Sequence, residues 1–305
     1  MVDLPKGVWP VMLTPFTADG AIDWDGVDVL TDWYIESGVA GLFAVCASSE
    51  MYHLTEGERY ALARRVVKKV NGRVPVVASG TFGGAMDLQA ETVIKTAETG
   101  VDAVVALVCQ IVPEEASDAD WQREMERLLT LTGDISIGMY ECPGPYHRLL
   151  SAELLGWCAS TERFCFIKDT SCDMDLIRPK LEAIEGTSLK FFNANTPTLL
   201  DSLLAGGDGY CGTAANFYPD LFAWICHYFE NEPELAADVQ RFLSVANKVA
   251  GHKYKSSAKL YLSKLGLPIL PICRDTEEVF KAEDHLTLQH LIEFTDTQRS
   301  MLGLL

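Results

Sequence analysis

The 305-residue sequence predicts an α/β fold, a (β/α)8 TIM barrel with appended C-terminal helices. Three observations carry this prediction. Short runs rich in Val, Ile and Phe alternate with stretches of ten to fifteen residues at helical spacing. The alternation repeats eight times, at intervals of roughly 20 to 35 residues. No Pro/Ser-rich linker separates any two units. A doubly wound open sheet is the competing reading, but it would usually place a glycine-rich phosphate turn after the first strand, where this chain has Thr14-Pro15-Phe16.

In chain order, the apolar runs place strands at 8–13, 41–45, 74–78, 103–107, 136–140, 164–168, 189–192 and 209–212. The intervening periodic segments place helices near 25–37, 56–71, 86–99, 118–132, 152–160, 174–184, 197–205 and 219–231. The tail keeps a helical pattern, broken at Gly266-Leu267-Pro268 and again near Pro271. We therefore expect a catalytic barrel over residues 1–232 and a helical extension over 233–305 packed against it.

Composition bounds the function. With 48% apolar residues the chain can bury a large core. Its formal charge is −18, and no run of Lys or Arg forms a phosphate-tracking stripe, which argues against nucleic acid and anionic membrane partners. The first sixteen residues lack the pattern of a signal peptide, and no apolar stretch reaches the length of a membrane span. Nine cysteines, an odd number without framework spacing, read as reduced thiols of a cytoplasmic protein.

In a barrel of this kind chemistry sits on the loops at the carboxyl ends of the strands. The sixth strand ends Phe164-Cys165-Phe166-Ile167-Lys168-Asp169-Thr170-Ser171. A lysine closing a buried strand is costly as an unpaired ion, so its pKa is expected to fall and a neutral amine to become available, as a Schiff-base nucleophile requires. The plain alternative is a lysine paired with a neighbouring carboxylate such as Asp169. Tyr140, 28 residues upstream, closes the fifth strand, so the two side chains are expected to meet over the barrel mouth. Its alternative is a strand-end aromatic with its hydroxyl in water. Ser48, after the second strand, could line the site or cap the next helix with Glu50 in its first turn. Cys46, Cys109, Cys142, Cys172 and Cys211 all fall near strand carboxyl ends, but they come from different loops, with no Cys-x-x-Cys pair and no His or acid at ligand spacing. We expect no metal there.

Five marks in this order give the chain a resemblance over nearly its whole length. They are the opening 7–16 with Thr14-Pro15-Phe16, the small-hydroxyl turn ending in Glu50, Tyr140-x-x-Pro143, Lys168-Asp169-Thr170-Ser171, and Gly206-Gly207-Asp208-Gly209. Together they resemble the dihydrodipicolinate synthase / N-acetylneuraminate lyase superfamily of pyruvate-type class I aldolases. The resemblance implies that Lys168 forms an imine with the keto carbon of a pyruvate unit, with no cofactor beyond that covalent bond. It implies that Tyr140 moves protons at the substrate, that Ser48 and the amides of Ala47 and Ser48 hold the pyruvate carboxylate, and that Thr170 and the carbonyl of Cys211 line the rest of the pocket. It also implies small-molecule partners, a 2-keto acid and an aldehyde, and a homo-oligomer, dimer or tetramer.

The departures from the family pattern are equally specific. The carboxylate turn usually reads Gly-Thr/Ser-Thr-Gly-Glu; this chain has Cys46-Ala47-Ser48-Ser49-Glu50, one hydroxyl short. The synthase branch carries a relay tyrosine after the fourth strand, where this chain has Cys109-Gln110-Ile111, and an arginine at the position of Pro145. The sialic acid branch carries acids after the seventh strand, where this chain has Asn195-Thr196-Pro197. Gln110, His147, Arg148 and Asn195 are left as candidates for a second substrate. The resemblance therefore implies a Schiff-base lyase or aldolase of some other 2-keto acid, with a 2-keto-3-deoxy sugar acid dehydratase or a non-catalytic keto-acid-binding member as alternatives.

Overall fold

The structure is a computed structural model that describes residues 2–304; Met1 and Leu305, the outermost residues of the two expected segments, lie outside the described residues. Strands buried on both faces read as continuous apolar runs. The chain follows that rule at β2 (Leu42–Val45), β3 (Val76–Ser79), β4 (Ala103–Leu107), β5 (Ile137–Tyr140) and β6 (Phe164–Asp169), where every residue is buried. With β1 (Gly7–Val8), β7 (Lys190–Asn193) and β8 (Gly209–Tyr210) they form one parallel sheet in the order β1-β8-β7-β6-β5-β4-β3-β2. The ring closes between its outer members: the amide of Phe43 donates to the carbonyl of Pro10, the amide of Met12 donates to the carbonyl of Phe43, and Val11 bridges Phe43 in parallel.

That closure explains the strand that departs furthest from expectation, while β8, expected over 209–212, stops at Tyr210. The first strand was expected over 8–13, yet regular pairing stops at Val8. Pro10 has no amide proton to give the ladder, so the segment is handed from β8 to β2 with a break in the middle.

The crossover helices are α1 (Trp24–Glu36), α2 (Glu56–Val70), α3 (Met86–Ala97), α4 (Asp118–Leu131), α5 (Ala152–Ser160), α6 (Met174–Ala183), α7 (Leu199–Leu204) and α8 (Pro219–Tyr228). Five of these starts are fixed by side-chain caps, from Asp23, Thr55, Ser117, Ser151 and Asp173. The seventh helix is shorter than the expected 197–205 because Asn195 Oδ1 accepts from both the amide and the hydroxyl of Thr198, which holds that segment as a turn.

Beyond the ring lie α9 (Pro233–Ala250), α10 (Ser256–Lys264) and α11 (Ala282–Leu302), α9 packing on α7 and α8. Paired hydrogen bonds tie this layer down. Arg299 of α11 grips Asp220 of α8 at 2.6 and 3.0 Å, and Arg274, in the loop after α10, grips Glu58 of α2 at 2.9 and 2.7 Å. Among the described residues, no helix is long and apolar enough to cross a membrane.

Inside the ring, aromatic side chains fill the floor below the strand ends. Phe166 lies against Trp9, Phe192 and Phe43, with ring centres 5.5, 4.9 and 6.1 Å away. The backbone has no slack around this layer: a Cβ on Gly41 would lie 2.4 Å from the Trp9 ring, and one on Gly209, at φ +151°, only 1.8 Å from the carbonyl oxygen of Gly7. Gly209→Ala must therefore push the β1–β8 seam apart. We expect it to lower the urea midpoint with little change in slope, a loss of about 1–3 kcal/mol. An unchanged midpoint would show that the seam yields freely.

Candidate active site

Side chains alternate along a strand, and here that alternation sorts a polar quartet into two pairs. Tyr140 of β5 and Lys168 of β6 are register partners, both 4% exposed and both facing into the ring. Lys168 Nζ stands 4.2 Å from the centre of the Tyr140 ring and 6.0 Å from that of Phe43. Among the described residues no carboxylate lies within ion-pairing distance of it. The alternative partner considered above, Asp169, is engaged elsewhere.

The next residue on each strand, Glu141 and Asp169, faces outward to α6, where both carboxylates receive the ammonium of Lys180 at 2.6 Å. All three side chains are buried. Burial, then the charge of Asp169, pushes the Glu141 carboxyl up to about 7 despite the opposing pull of Lys180. Burial works against the Lys180 charge, but the two carboxylates overcome it and its pKa is raised. Glu141 also accepts from the amides of Leu150 and Thr170, at 2.8 and 3.0 Å, so it ties the loop after β5 to the end of β6. Glu141 and Lys180 did not stand out in the sequence, and Asp169 did so only as a partner for Lys168. The available signal was an acid directly after each inward-facing residue.

Thr170 closes the same corner. Its hydroxyl lies 2.6 Å from the carbonyl of Glu141 and 2.8 Å from Nε2 of His147. His147 is thereby placed beside the end of β6. Arg148 is not: its guanidinium is held by the carbonyl of Ala116 and by Asp118, at 2.8 and 2.7 Å, at the start of α4. The side-chain oxygen of Asn195 is committed to Thr198, as described above, which leaves its amide nitrogen on the side of Cys172.

After β2 the chain turns tightly through Ala47–Ser49, and Ser49 locks the turn by donating to the carbonyls of Met12 and Ala44 at 2.7 and 2.9 Å. Ser48 is buried and does not cap α2, which is capped by Thr55; its hydroxyl accepts instead from Tyr254, at 2.7 Å. Tyr254 in turn accepts from Asn216 at 2.7 Å. Glu50 ends the turn in the left-handed conformation, φ 60°, which a side chain adopts only when its surroundings hold it. Here its carboxylate receives Lys259 at 2.8 Å and the amides of Arg274 and Asp275 at 2.5 and 3.1 Å. Tyr254, Lys259 and Arg274 belong to the C-terminal layer, more than 200 residues from the turn they hold. Glu50, Cys273 and Asp275 could be taken for a metal cage, but Lys259 and Lys255 already pair its two carboxylates.

Around Lys168 stand the thiols of Cys46, Cys142 and Cys211. Cys46 and Cys211 are fully buried, and burial raises both thiols, that of Cys211 to about 12. Tyr140 is not in water. Burial, then the neighbouring Cys142 and Cys46, raises its pKa well above that of free tyrosine, so its proton is held firmly. Tyr52, in the loop after β2, reaches the loops after β4 and β5: it donates to the carbonyl of Gly144 at 2.9 Å and receives Gln110 Nε2 at 3.3 Å. Tyr52 was missed because its neighbours come from the loops after β4 and β5. The site thus brings together an amine without a counter-ion, a phenol, a small-hydroxyl turn and a rim of polar groups. That combination suits imine formation with a small keto acid.

Comparison with known proteins bears on the family and the fold. The sequence profile of the Dihydrodipicolinate synthetase family matches residues 4–294. A 4-hydroxy-tetrahydrodipicolinate synthase of Teredinibacter turnerae is 28% identical over 238 residues, 77% of this chain and 78% of that protein. The probable 2-dehydro-3-deoxy-D-pentonate aldolase YjhH of Escherichia coli K12 is 26% identical over 296 residues, 93% of this chain and 96% of that protein. Among solved structures, YagE of E. coli K12, a prophage protein of the dihydrodipicolinic acid synthase family in complex with pyruvate, superposes with a TM-score of 0.86 at 23% identity, covering 95% of this chain and 98% of that one.

Two tests address the buried triad. Lys180→Met leaves two carboxylates without their cation, and we expect a loss of about 3–5 kcal/mol in urea unfolding. A loss below ~1 kcal/mol would mean that water replaces the ammonium. Glu141 binds its proton more tightly folded, to about 7, than its ordinary 4.5. Its contribution to stability is therefore full below pH 4.5 and is lost as the pH rises through 7. Unfolding free energies measured across this window should decline in the native chain and decline less in Glu141→Gln.

Proposed function

The chain belongs to the dihydrodipicolinate synthetase family, and we propose that it is a lyase or aldolase that forms a Schiff base between Lys168 and a 2-keto acid, interconverting that acid with pyruvate and an aldehyde. The observation that carries this reading is the register pair of Tyr140 and Lys168, with the amine 4.2 Å from the centre of the phenol ring and, among the described residues, no carboxylate beside it. In the neutral form, the amine attacks the C2 carbonyl and water leaves. The resulting iminium draws the electrons of the C3–C4 bond, an aldehyde departs, and the enamine left behind is protonated at C3. Hydrolysis then releases pyruvate. Tyr140 is the group placed to move the protons, and the turn at Ala47 and Ser48 is the place for the carboxylate of the keto acid.

The rim favours one kind of second substrate. The groups near the mouth, Gln110, Tyr52, Thr170 and His147, are hydrogen-bonding side chains, whereas Arg148 is spent on α4. A carboxylate-bearing aldehyde would lack its guanidinium partner there, while a hydroxylated, uncharged aldehyde would find several partners. A 2-keto-3-deoxy sugar acid fits this description, and the pentonate aldolase relative supports it. Loss of water from such an acid is the second reading, since the same iminium can expel a hydroxyl from C4 after C3 is deprotonated.

Borohydride added in the presence of pyruvate should fix a reduced pyruvyl group on the peptide that carries Lys168, and Lys168→Ala should abolish it. No adduct, or an adduct elsewhere, removes the mechanism. Tyr140→Phe should still be trapped, but pyruvate release from a panel of 2-keto-3-deoxy acids should fall about 10²–10⁴-fold. Equal turnover by this variant would free Tyr140 of the role given to it.

A further inference from the structure

The turn after β2 offers a keto acid one side-chain hydroxyl, that of Ser48, because Ala47 stands where the family pattern carries a second. Where that hydroxyl sends its proton follows from counting the donors and acceptors behind it. Asn216, fully buried in the loop after β8, has two amide protons. One goes to the carbonyl of Val11 at 2.9 Å and the other to the hydroxyl of Tyr254 at 2.7 Å. Tyr34 of α1 donates to Asn216 Oδ1 from the other side. Turned over, the amide would set two carbonyl oxygens against each other at Val11, so its orientation is fixed.

Tyr254, in the loop between α9 and α10, thus accepts from Asn216 and has one proton left to give. Ser48 Oγ, 2.7 Å away, takes it. Burial raises the pKa of Tyr254, against the pull of Ser48, so that proton stays on the phenol. The Ser48 hydroxyl, only 4% exposed, has then received a hydrogen bond, and among the described residues nothing accepts the proton it carries itself. Every link points the same way, from α1 towards the turn beside Lys168.

We propose that Tyr254 aims the Ser48 hydroxyl at the carboxylate of the keto acid, as the last link of a one-way run of donors from Tyr34 through Asn216. The proposal rests on the Schiff-base reading above. Tyr254 does not touch the keto acid; it is a positioning residue that acts through Ser48. A hydroxyl that accepts one hydrogen bond is a stronger donor in the next, by roughly 10–30% per bond, which offsets part of what the turn lacks at Ala47. The arrangement also selects the group at C1. A carboxylate, which only accepts, meets an outward-pointing donor, whereas an ester at the same place brings no charge to the hydrogen bond.

Borohydride trapping with pyruvate and, in parallel, with methyl pyruvate tests this, because the ester keeps the ketone that Lys168 attacks and loses the carboxylate. Tyr254→Phe removes the donated proton and keeps the ring. We expect its half-saturating pyruvate concentration to rise about 10-fold, that of methyl pyruvate to change less than about 2-fold, and trapping at saturation to hold. In a Ser48→Ala chain the added Tyr254→Phe should change nothing further, since both substitutions act on one hydrogen bond. A Tyr254→Phe chain that keeps the native preference for pyruvate, or that loses both ketones alike, overturns the role, as do additive losses in the double variant. If Tyr254→Phe does not fold, 3-fluorotyrosine in place of Tyr254 decides. It keeps the shape and hydroxyl but donates more strongly, so half-saturating pyruvate should fall about 2-fold, and an unchanged or raised value overturns the role. Failure of the native chain to be trapped with pyruvate instead overturns the Schiff-base reading, and this inference with it.

Discussion

One buried ammonium, Lys180, sets the geometry on which the candidate site depends. It holds the residues that follow Tyr140 and Lys168, so the two strand ends are pinned from outside the ring while the inward side is left free of charge partners. Such a triad is not a cheap source of stability, since taking three charges out of water costs several kcal/mol each before their attraction returns it. What it supplies is position. Glu141 reaches the amides on either side of the gap between β5 and β6, so a shift of one strand end would break bonds on the other.

The opposite wall is built by a different device. The turn after β2 is closed locally by Ser49 on Ala44, but its left-handed Glu50 and the hydroxyl of Ser48 need distant groups to hold them. The C-terminal layer does so, with Lys259 and two backbone amides on Glu50 and Tyr254 on Ser48. The appended helices are thus part of the site's scaffold, and the tail and the barrel mouth share one hydrogen-bond network.

This division explains what could be read from the sequence. The strands and helices were legible because burial on both sheet faces writes itself as unbroken apolar runs, and because Thr55, Ser117 and Ser151 announce their helices locally. The meeting of Tyr140 and Lys168 followed from topology alone, one crossover unit apart. The break at Pro10 was visible as a residue but not as a hand-over between partners, which depends on closure of the ring. Tyr52, Lys180, Tyr254 and Lys259 stayed hidden because their meaning lies in contacts between distant segments. Arg148 shows the reverse case: its sequence position is near the mouth, yet Asp118 captures its side chain.

The aromatic floor of Trp9, Phe43, Phe166 and Phe192 has a kinetic consequence. A chamber stoppered at one end has a single doorway, so whatever enters last stands between the first arrival and the exit. For the proposed reaction the three-carbon fragment is tethered at the bottom until water frees it. The aldehyde must leave first and the keto acid second, and a lingering aldehyde at the threshold would hold back both the hydrolytic water and the departure of pyruvate.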